Sequence, residues 1–404
     1  MRRVAITGMG AICALGHDGA SSWQAMREGR SGIGPIVNIP TEQLQVKVAA
    51  EVRGYDPRVH FEAKQLSLLD PVSQFALTAA REAIAQAGLD FSDGERGMRT
   101  ACIVGTCLGG EYTRDEASRR FHGEKQSRID PLCVIRLMAN GPVCHISMEF
   151  GITGPVFAVV SACASSNHAL AQAFQMVRDG TVDFAIAGGA EAYITVPAVK
   201  AWEAMRLTAG DTCRPFCKQR RGLVLGEGAG IFVLEDYEHA CRRGARILAE
   251  FAGAGIGADA SNIVLPSEAG AIRAITAALE DAQLLPEHID YINAHGTATP
   301  ANDPTESRAI RRVFGTHADR LAVSSTKSMH GHAMGATGAL ELVAVIGALS
   351  NGVIPPTANF IDPDPQCDLD YVPNTARVSP VRAALSNSFA FGGLNAVLAF
   401  KRVN

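Results

Sequence analysis

Residues 156–177 read VFAVVSACASSNHALAQAFQMV. The run opens on β-branched and aromatic apolar residues, passes through a group of small ones, and continues from His168 in helix formers. That order predicts a buried strand turning directly into a helix. Cys163 falls at the turn. A helix beginning there would aim unpaired backbone N–H groups and the positive end of its dipole at the sulfur. On that reading the thiol is shifted toward the reactive thiolate. The same N–H groups could hold the oxygen of an acyl group carried on the sulfur. The commonest use of a cysteine is nevertheless as a small, inert core residue. With ten cysteines in the chain, Cys163 is singled out only by what stands elsewhere.

Working outward, strands are expected at 3–7, 100–105, 184–187 and 230–235, with short candidates at 46–52. Helices are expected at 21–27, at 64–88 with Gly88 as the cap, at 132–150 and at 237–243. Glycines at 8 and 10, at 109 and 110, and at 188 and 189 read as turns. Residues 111–130 are the most charged part of the chain and read as a surface excursion. After about residue 245 the pattern restarts. A strand at 247–251 leads into GAGIGADAS, an echo of the opening TGMGAICALG, and 289–293 parallels 100–105. A strand at 320–324 and a small-residue helix at 333–349 parallel the Cys163 unit. Recurrent strand–turn–helix units predict a duplicated α/β fold in two similar halves, 1–248 and 249–404.

At 404 residues, 47% apolar and 19% charged, the chain has ample material for such a core. A net charge of −4 argues against a nucleic-acid partner. The ten cysteines form no CxxC pair, which favours reduced thiols and a cytoplasmic location. Two arginines before an apolar run make the start look like a signal peptide, but its glycines and β-branched residues fit a first strand better. Polar residues and prolines interrupt the uncharged stretches, so no membrane-spanning segment is expected.

Three more stretches carry chemistry: NAHGTATPANDPTES at 293–307, SSTKSMHGHAMGATGALE at 324–341, and SNSFAFGGLNAVLAF at 386–400. Together with SACAS around Cys163, and in this order along the whole chain, they resemble the elongating β-ketoacyl-acyl-carrier-protein synthases. The resemblance implies a thiolase-like fold in five α-β-α-β-α layers, usually a homodimer, with a heterodimer with a related subunit as the other arrangement. It implies decarboxylative Claisen condensation without a cofactor, the substrates riding on the phosphopantetheine of an acyl carrier protein. Cys163 matches the acylated nucleophile and His295 and His332 the imidazole pair that stabilises the malonyl enolate. Lys327 matches the family lysine, Glu341 its acidic partner, and Phe391 the gating phenylalanine in a glycine hinge. Thr297 and Thr299 match pantetheine contacts, and Leu108, Trp202 and Phe389 the substrate pocket. Lys64, Arg128 and Arg206 are the basic residues left to meet an acidic carrier protein.

Other histidines and acids read more plainly. His168 is expected on a helix at the core edge, and His330 matches no family histidine. A metal site at His330 and His332 lacks a third ligand at sensible spacing. Asp303 and Glu306 read as capping and salt-bridging residues of the next helix.

The chain also departs from the family pattern. Leu394 replaces a threonine in FGGTN, Cys217 the aspartate of RPFD, and Arg221 a commonly acidic residue. In KQLSLLD only Lys64 is basic, and Leu66, Leu68 and Leu69 cannot all face inward, leaving apolar surface for a partner. These features, with SACASSNHA and CRPFCKQRRG, are closer to the nodulation protein E-like branch. Two competing assignments are a chain-length-factor subunit, a class that loses the cysteine, and a coenzyme A thiolase, which carries a second catalytic cysteine. Cys163 with the histidine pair opposes both.

Overall fold

The structure is a computed structural model that describes residues 1–92 and 94–403. The first-half strands are β1 (Val4–Cys13), β2 (Thr100–Gly105), β3 (Val156–Val159), β4 (Phe184–Glu191) and β5 (Gly228–Asp236). The second half contributes β6 (Ala249–Ala258), β7 (Tyr291–Asn293), β8 (Ala322–Ser324), β9 (Ala383–Ala390) and β10 (Leu394–Lys401). They join in the order β8-β7-β9-β10-β6-β1-β5-β4-β2-β3. Numbered within its own half, each set of five follows the same order, 3-2-4-5-1. The halves meet where β1 pairs antiparallel with β6, Val4 opposite Phe251 and Ile6 opposite Ala249.

The principal helices are α1 (Gly19–Arg27), α2 (Pro71–Ala87), α3 (Gly141–Phe150), α4 (Ser165–Arg178), α5 (Val196–Met205), α6 (Glu268–Asp281), α7 (Asn302–Phe314) and α8 (Thr337–Asn351). Helices α2 and α3 cover the outer face of the first half, and α6, flanked by α7, covers the outer face of the second. Between the halves, α4 and α8 touch each other and strands of both. The result is the five-layered, thiolase-like arrangement. Residues 334–351 are apolar and long enough to cross a bilayer, but 89% of that stretch is buried. It is the core helix α8 with its lead-in turn.

Several expected turns are strand. Gly8 and Gly10 lie inside β1, Gly188 and Gly189 inside β4, and residues 252–258 inside β6. Their purpose is close approach. A Cβ on Gly8 or Gly10 would stand 2.1 Å from Ala83 O or 2.0 Å from Ala79 O of α2. In the second half a Cβ on Gly253 or Gly255 would stand 2.4 Å from Ala282 N or 2.1 Å from Ala274 O. The echo between the two glycine stretches is thus a repeated helix-on-strand contact.

The expected helix at 64–88 is broken into Ala63–Leu66 and α2. Pro71 opens α2, and the Asp70 carboxylate caps it by accepting from Val72 N–H at 3.1 Å. Gly88, at φ 64°, ends it in the left-handed region. In the broken segment Leu69 is buried and Leu66 and Leu68 are half-buried, so little of the apolar surface expected there remains. The strand expected to be buried at 156–160 is instead the edge of the sheet. Among the described residues β3 pairs only with β2, and Phe157 and Val160 are 38% and 59% exposed.

Candidate active site

The nucleophile candidate sits on a tight elbow. β3 ends, Ala162 takes φ 50°, and a single 3₁₀ turn, Ala162–Ala164, leads into α4. The second half repeats the device. Met334 takes φ 43° and the turn Met334–Ala336 leads into α8, with Gly335 where the first elbow has Cys163. The two elbows touch, Ser166 Oγ donating to Gly335 O.

The backbone N–H groups of Cys163 and Phe391 both donate toward Cys163 Sγ. Two N–H groups thus stand beside the sulfur, one from the elbow and one from the turn at Phe391, but the expected acidic thiol is not found. Cys163 lies in an apolar cluster with Ile194, Leu223, Met334 and the half-buried Leu108 and Leu394. Burial pushes the thiol up to about 11, against the pull of Lys327 and the two N–H groups. Only a small thiolate fraction then exists at neutral pH. Inactivation by iodoacetamide should climb about tenfold per pH unit between about pH 7 and pH 9 without levelling. The exposed Cys241 should label first by peptide mass spectrometry. A plateau by about pH 8 would show that the helix start outweighs burial after all.

The imidazoles arrive from two loops. His295 follows β7, and the Glu306 carboxylate holds its loop by accepting from the N–H groups of His295 and Gly296, each at 2.8 Å. His332 follows the short helix Lys327–His330. One ring nitrogen of each and Cys163 Sγ all lie within 4.8 Å of one another. The rings are 5.6 Å apart, edge to face, and Phe389 packs against His295 at 6.2 Å.

Hydrogen bonds assign both tautomers. His332 Nδ1 accepts from Met334 N–H at 3.1 Å and lies 2.9 Å from Thr337 Oγ1. His295 Nδ1 faces the Lys327 ammonium at 3.4 Å. Each Nδ1 is therefore an acceptor and each Nε2 carries the proton. Burial and the Lys327 charge hold both imidazoles well below their ordinary range, so both are neutral. Lys327 also donates to His295 O and to Glu341 Oε1, the pair being wholly buried.

A cavity of about 830 Å³, mouth included, reaches this cluster. Thr297, Thr299, Trp202, Phe389 and Phe391 line it. The two threonine hydroxyls are 2.9 Å apart, and Trp202 stacks on Phe391 at 5.9 Å. Gly392 and Gly393, at φ 81° and 68°, form the hairpin tip between β9 and β10. Leu108 is not on the cavity wall but packs against the apolar cluster that contains Cys163. Arg206 is exposed just past α5, between Trp202 and the lining residue Leu207. Lys64 is exposed on Ala63–Leu66, and Arg128 lines a different cleft that shares no residue with the first.

Asp303 and Glu306 do not form the expected salt bridges. Both are buried: Asp303 accepts from Phe216 N–H at 2.7 Å and Ala298 N–H at 3.1 Å, and Asn387 reaches Glu306 at 3.2 Å. Glu191 was not foreseen. Buried at the end of β4, it accepts from the N–H groups of Cys107, Leu108 and Gly335 at 2.6, 3.1 and 2.9 Å. Its signal in the sequence is a lone charge within FAIAGGAEAYI. His168 is half-buried on α4 with Nδ1 2.8 Å from Ser161 Oγ. His330 turns its Nε2 to Thr326 Oγ1 at 3.0 Å, outside the cluster. Cys217 is buried, with Sγ 2.9 Å from Gln219 Oε1.

Residues 1–240 match the β-ketoacyl synthase N-terminal domain and residues 248–361 the C-terminal domain. The chain belongs to the β-ketoacyl synthase family. Its sequence is 50% identical to nodulation protein E of Rhizobium meliloti (strain 1021), over the full length of both chains. It is 40% identical to 3-oxoacyl-[acyl-carrier-protein] synthase 2 of Staphylococcus aureus (strain N315), covering 99% of this chain and 98% of that one. Among solved structures, the ishigamide ketosynthase/chain length factor superposes with a TM-score of 0.95 at 38% identity over the whole of both chains. A β-ketoacyl synthase from Burkholderia phymatum STM815 superposes at 0.92 with 33% identity, again over the whole of both chains. A ketosynthase solved in complex with its type II polyketide acyl-carrier protein superposes at 0.90 with 30% identity and the same complete coverage.

Proposed function

We propose that this β-ketoacyl synthase condenses malonyl-carrier protein with an acyl chain held on Cys163, releasing CO₂ and a 3-oxoacyl-carrier protein. The convergence of Cys163 Sγ with two neutral, proton-bearing imidazoles carries the reading. In the first step Sγ displaces the pantetheine sulfur, and the thiol proton leaves with that sulfur. The N–H groups of Cys163 and Phe391, which point at Sγ in the free protein, hold the acyl oxygen. In the second step the malonyl carboxylate leaves as CO₂ and its electron pair becomes an enolate. The enolate oxygen accepts from the two Nε2–H groups. Its carbon attacks the acyl carbon, the bond to Sγ breaks, and the sulfur takes up a proton. Lys327 acts on this step through His295, as a positioning residue, and Glu341 balances its charge.

Thr297 and Thr299 on the cavity wall are assigned to the pantetheine, Trp202 and Phe391 to the mouth, Phe389 to the support of His295, and Leu108 to the acyl end. Arg206 beside the mouth is the leading docking contact, with Lys64 and Arg128 as further ones. No cofactor is required, and the chain is read as two units meeting between Leu248 and Ala249. The unpaired edge of β3 with exposed Phe157 and Val160 supports a dimer through that edge, of two like chains or of this chain with a related subunit. All ten cysteines are free, which supports a reducing, cytoplasmic location.

The test is CO₂ release from malonyl-carrier protein with and without an acyl donor. Donor-dependent release coupled to 3-oxoacyl product is expected, and its absence with a panel of donors would overturn the reading. Each buried methylene contributes about 0.8 kcal/mol. Leu108→Trp should therefore shorten the longest accepted acyl chain while short primers still load. An unchanged product profile by mass spectrometry would place the acyl channel elsewhere.

A further inference from the structure

The three groups at the centre of the site are also a set of soft-metal ligands. One sulfur and two imidazole nitrogens, all buried and within 4.8 Å of one another, approach the three-ligand pattern with an open position that zinc uses in catalytic sites. An imidazole can ligate only through an unprotonated nitrogen, and protein metal sites secure this by giving the opposite N–H an acceptor. The surroundings here do the reverse at both rings. His332 Nδ1 faces the Met334 N–H at 3.1 Å, a group that can only donate. Moving the ring proton to Nδ1 would set it against the Met334 N–H and leave only the Thr337 hydroxyl, 2.9 Å away, to accept it. His295 Nδ1 faces Lys327 Nζ at 3.4 Å, which has three donors, no acceptor and a positive charge. That ammonium is held in place by Glu341, whose Oε1 accepts from it.

We propose that Lys327, together with the Met334 N–H, keeps the Cys163–His295–His332 cluster closed to soft divalent cations such as Zn²⁺. The device fixes both imidazoles as Nε2–H donors, sets a charge against an incoming cation, and leaves the thiol free for acyl groups. Neutralising Lys327 should turn the cluster into a Cys–His–His metal site, with the Cys163 thiol proton released to solvent as the sulfur–metal bond forms.

The experiment titrates the full-length protein, freed of metal with a chelator, with Co²⁺. It reads the sulfur-to-cobalt charge-transfer band in the near ultraviolet, a signal that a merely structural role for Lys327 would not move. Lys327→Met should bind one Co²⁺ per chain with that band, roughly 10–100-fold tighter than wild type. The band should vanish in a Lys327→Met/Cys163→Ala background, and Lys327→Arg should restore exclusion. Because Lys327→Met strands the Glu341 carboxylate in the core, Lys327→Met/Glu341→Leu is titrated in parallel to cover a folding failure. Wild type showing the Cys163-dependent band at the variant's affinity would overturn the proposal. So would a folded variant, single or double, that shows no band.

Discussion

His332→Ala and His295→Ala are each expected to lower condensation by about 10²–10³-fold while Cys163 still acquires its acyl group. The separation follows from the geometry. On the proposed mechanism, acyl loading draws on the N–H groups of Cys163 and Phe391, whereas the enolate draws on the two Nε2–H groups assigned by Met334 and Lys327. Intact-protein mass spectrometry of the acylated variants, set beside product formation in a single turnover, checks both halves. Loss of loading as complete as in Cys163→Ala would reassign the histidines to the first step. The sign of the pH effect follows as well. Burial and the Lys327 charge hold both imidazoles well below their ordinary range, so they stay neutral donors as the pH falls, and condensation should show no decline through the range where an ordinary histidine titrates.

Glu341→Leu is expected to destabilise the fold by about 3–5 kcal/mol, because it leaves the wholly buried Lys327 ammonium without its partner. Lys327→Met/Glu341→Leu should recover most of that loss, since replacing a buried ion pair by apolar side chains is often close to neutral. Urea unfolding of the two variants beside wild type measures the difference. Equal losses in single and double variants would show that packing in α8, rather than the charge, accounts for the effect. Condensation should remain impaired in the double variant even where stability returns, which separates the pair's part in folding from its part in the reaction.

Much of this was legible in the chain. The apolar run, small residues and helix formers at 156–177 specify a strand–elbow–helix wherever they are placed. The ordered appearance of Cys163, His295, Lys327, His332 and Phe391 pointed to the site, although four separate segments must come together to assemble it. What escaped depends on tertiary neighbours. A strand's apolar pattern does not say whether a partner lies on one side or both, so β3 read as buried and is an edge. A glycine that permits a turn is the same residue that permits a helix to approach a strand, so Gly8, Gly10, Gly188 and Gly189 were misplaced. The start of α4 predicted an acidic thiol, because the apolar side chains around Cys163 (Leu108, Ile194, Leu223, Met334 and Leu394) come from five other parts of the chain. Asp303 and Glu306 read as capping and salt-bridging residues of the next helix because nothing local reveals that the loops at Phe216 and His295 need anchors for their N–H groups.

The paired elbows have a consequence for how the repeated scaffold came to be used. Each half builds the same strained seat, and only the first holds a reactive side chain. In the second the seat belongs to Gly335, where even a methyl group would stand 2.5 Å from Cys107 N and 2.6 Å from Glu191 Oε2. A cysteine introduced there could not fit unless the 106–108 loop were displaced and the Glu191 anchor lost with it. The symmetry of the backbone therefore cannot be turned into two acylation sites on one chain. The first half seats Cys163 on its elbow, and in the second the segment leading to the elbow carries Lys327 and His332. The repeat is used unequally, and on the proposed mechanism that leaves one acyl group per subunit.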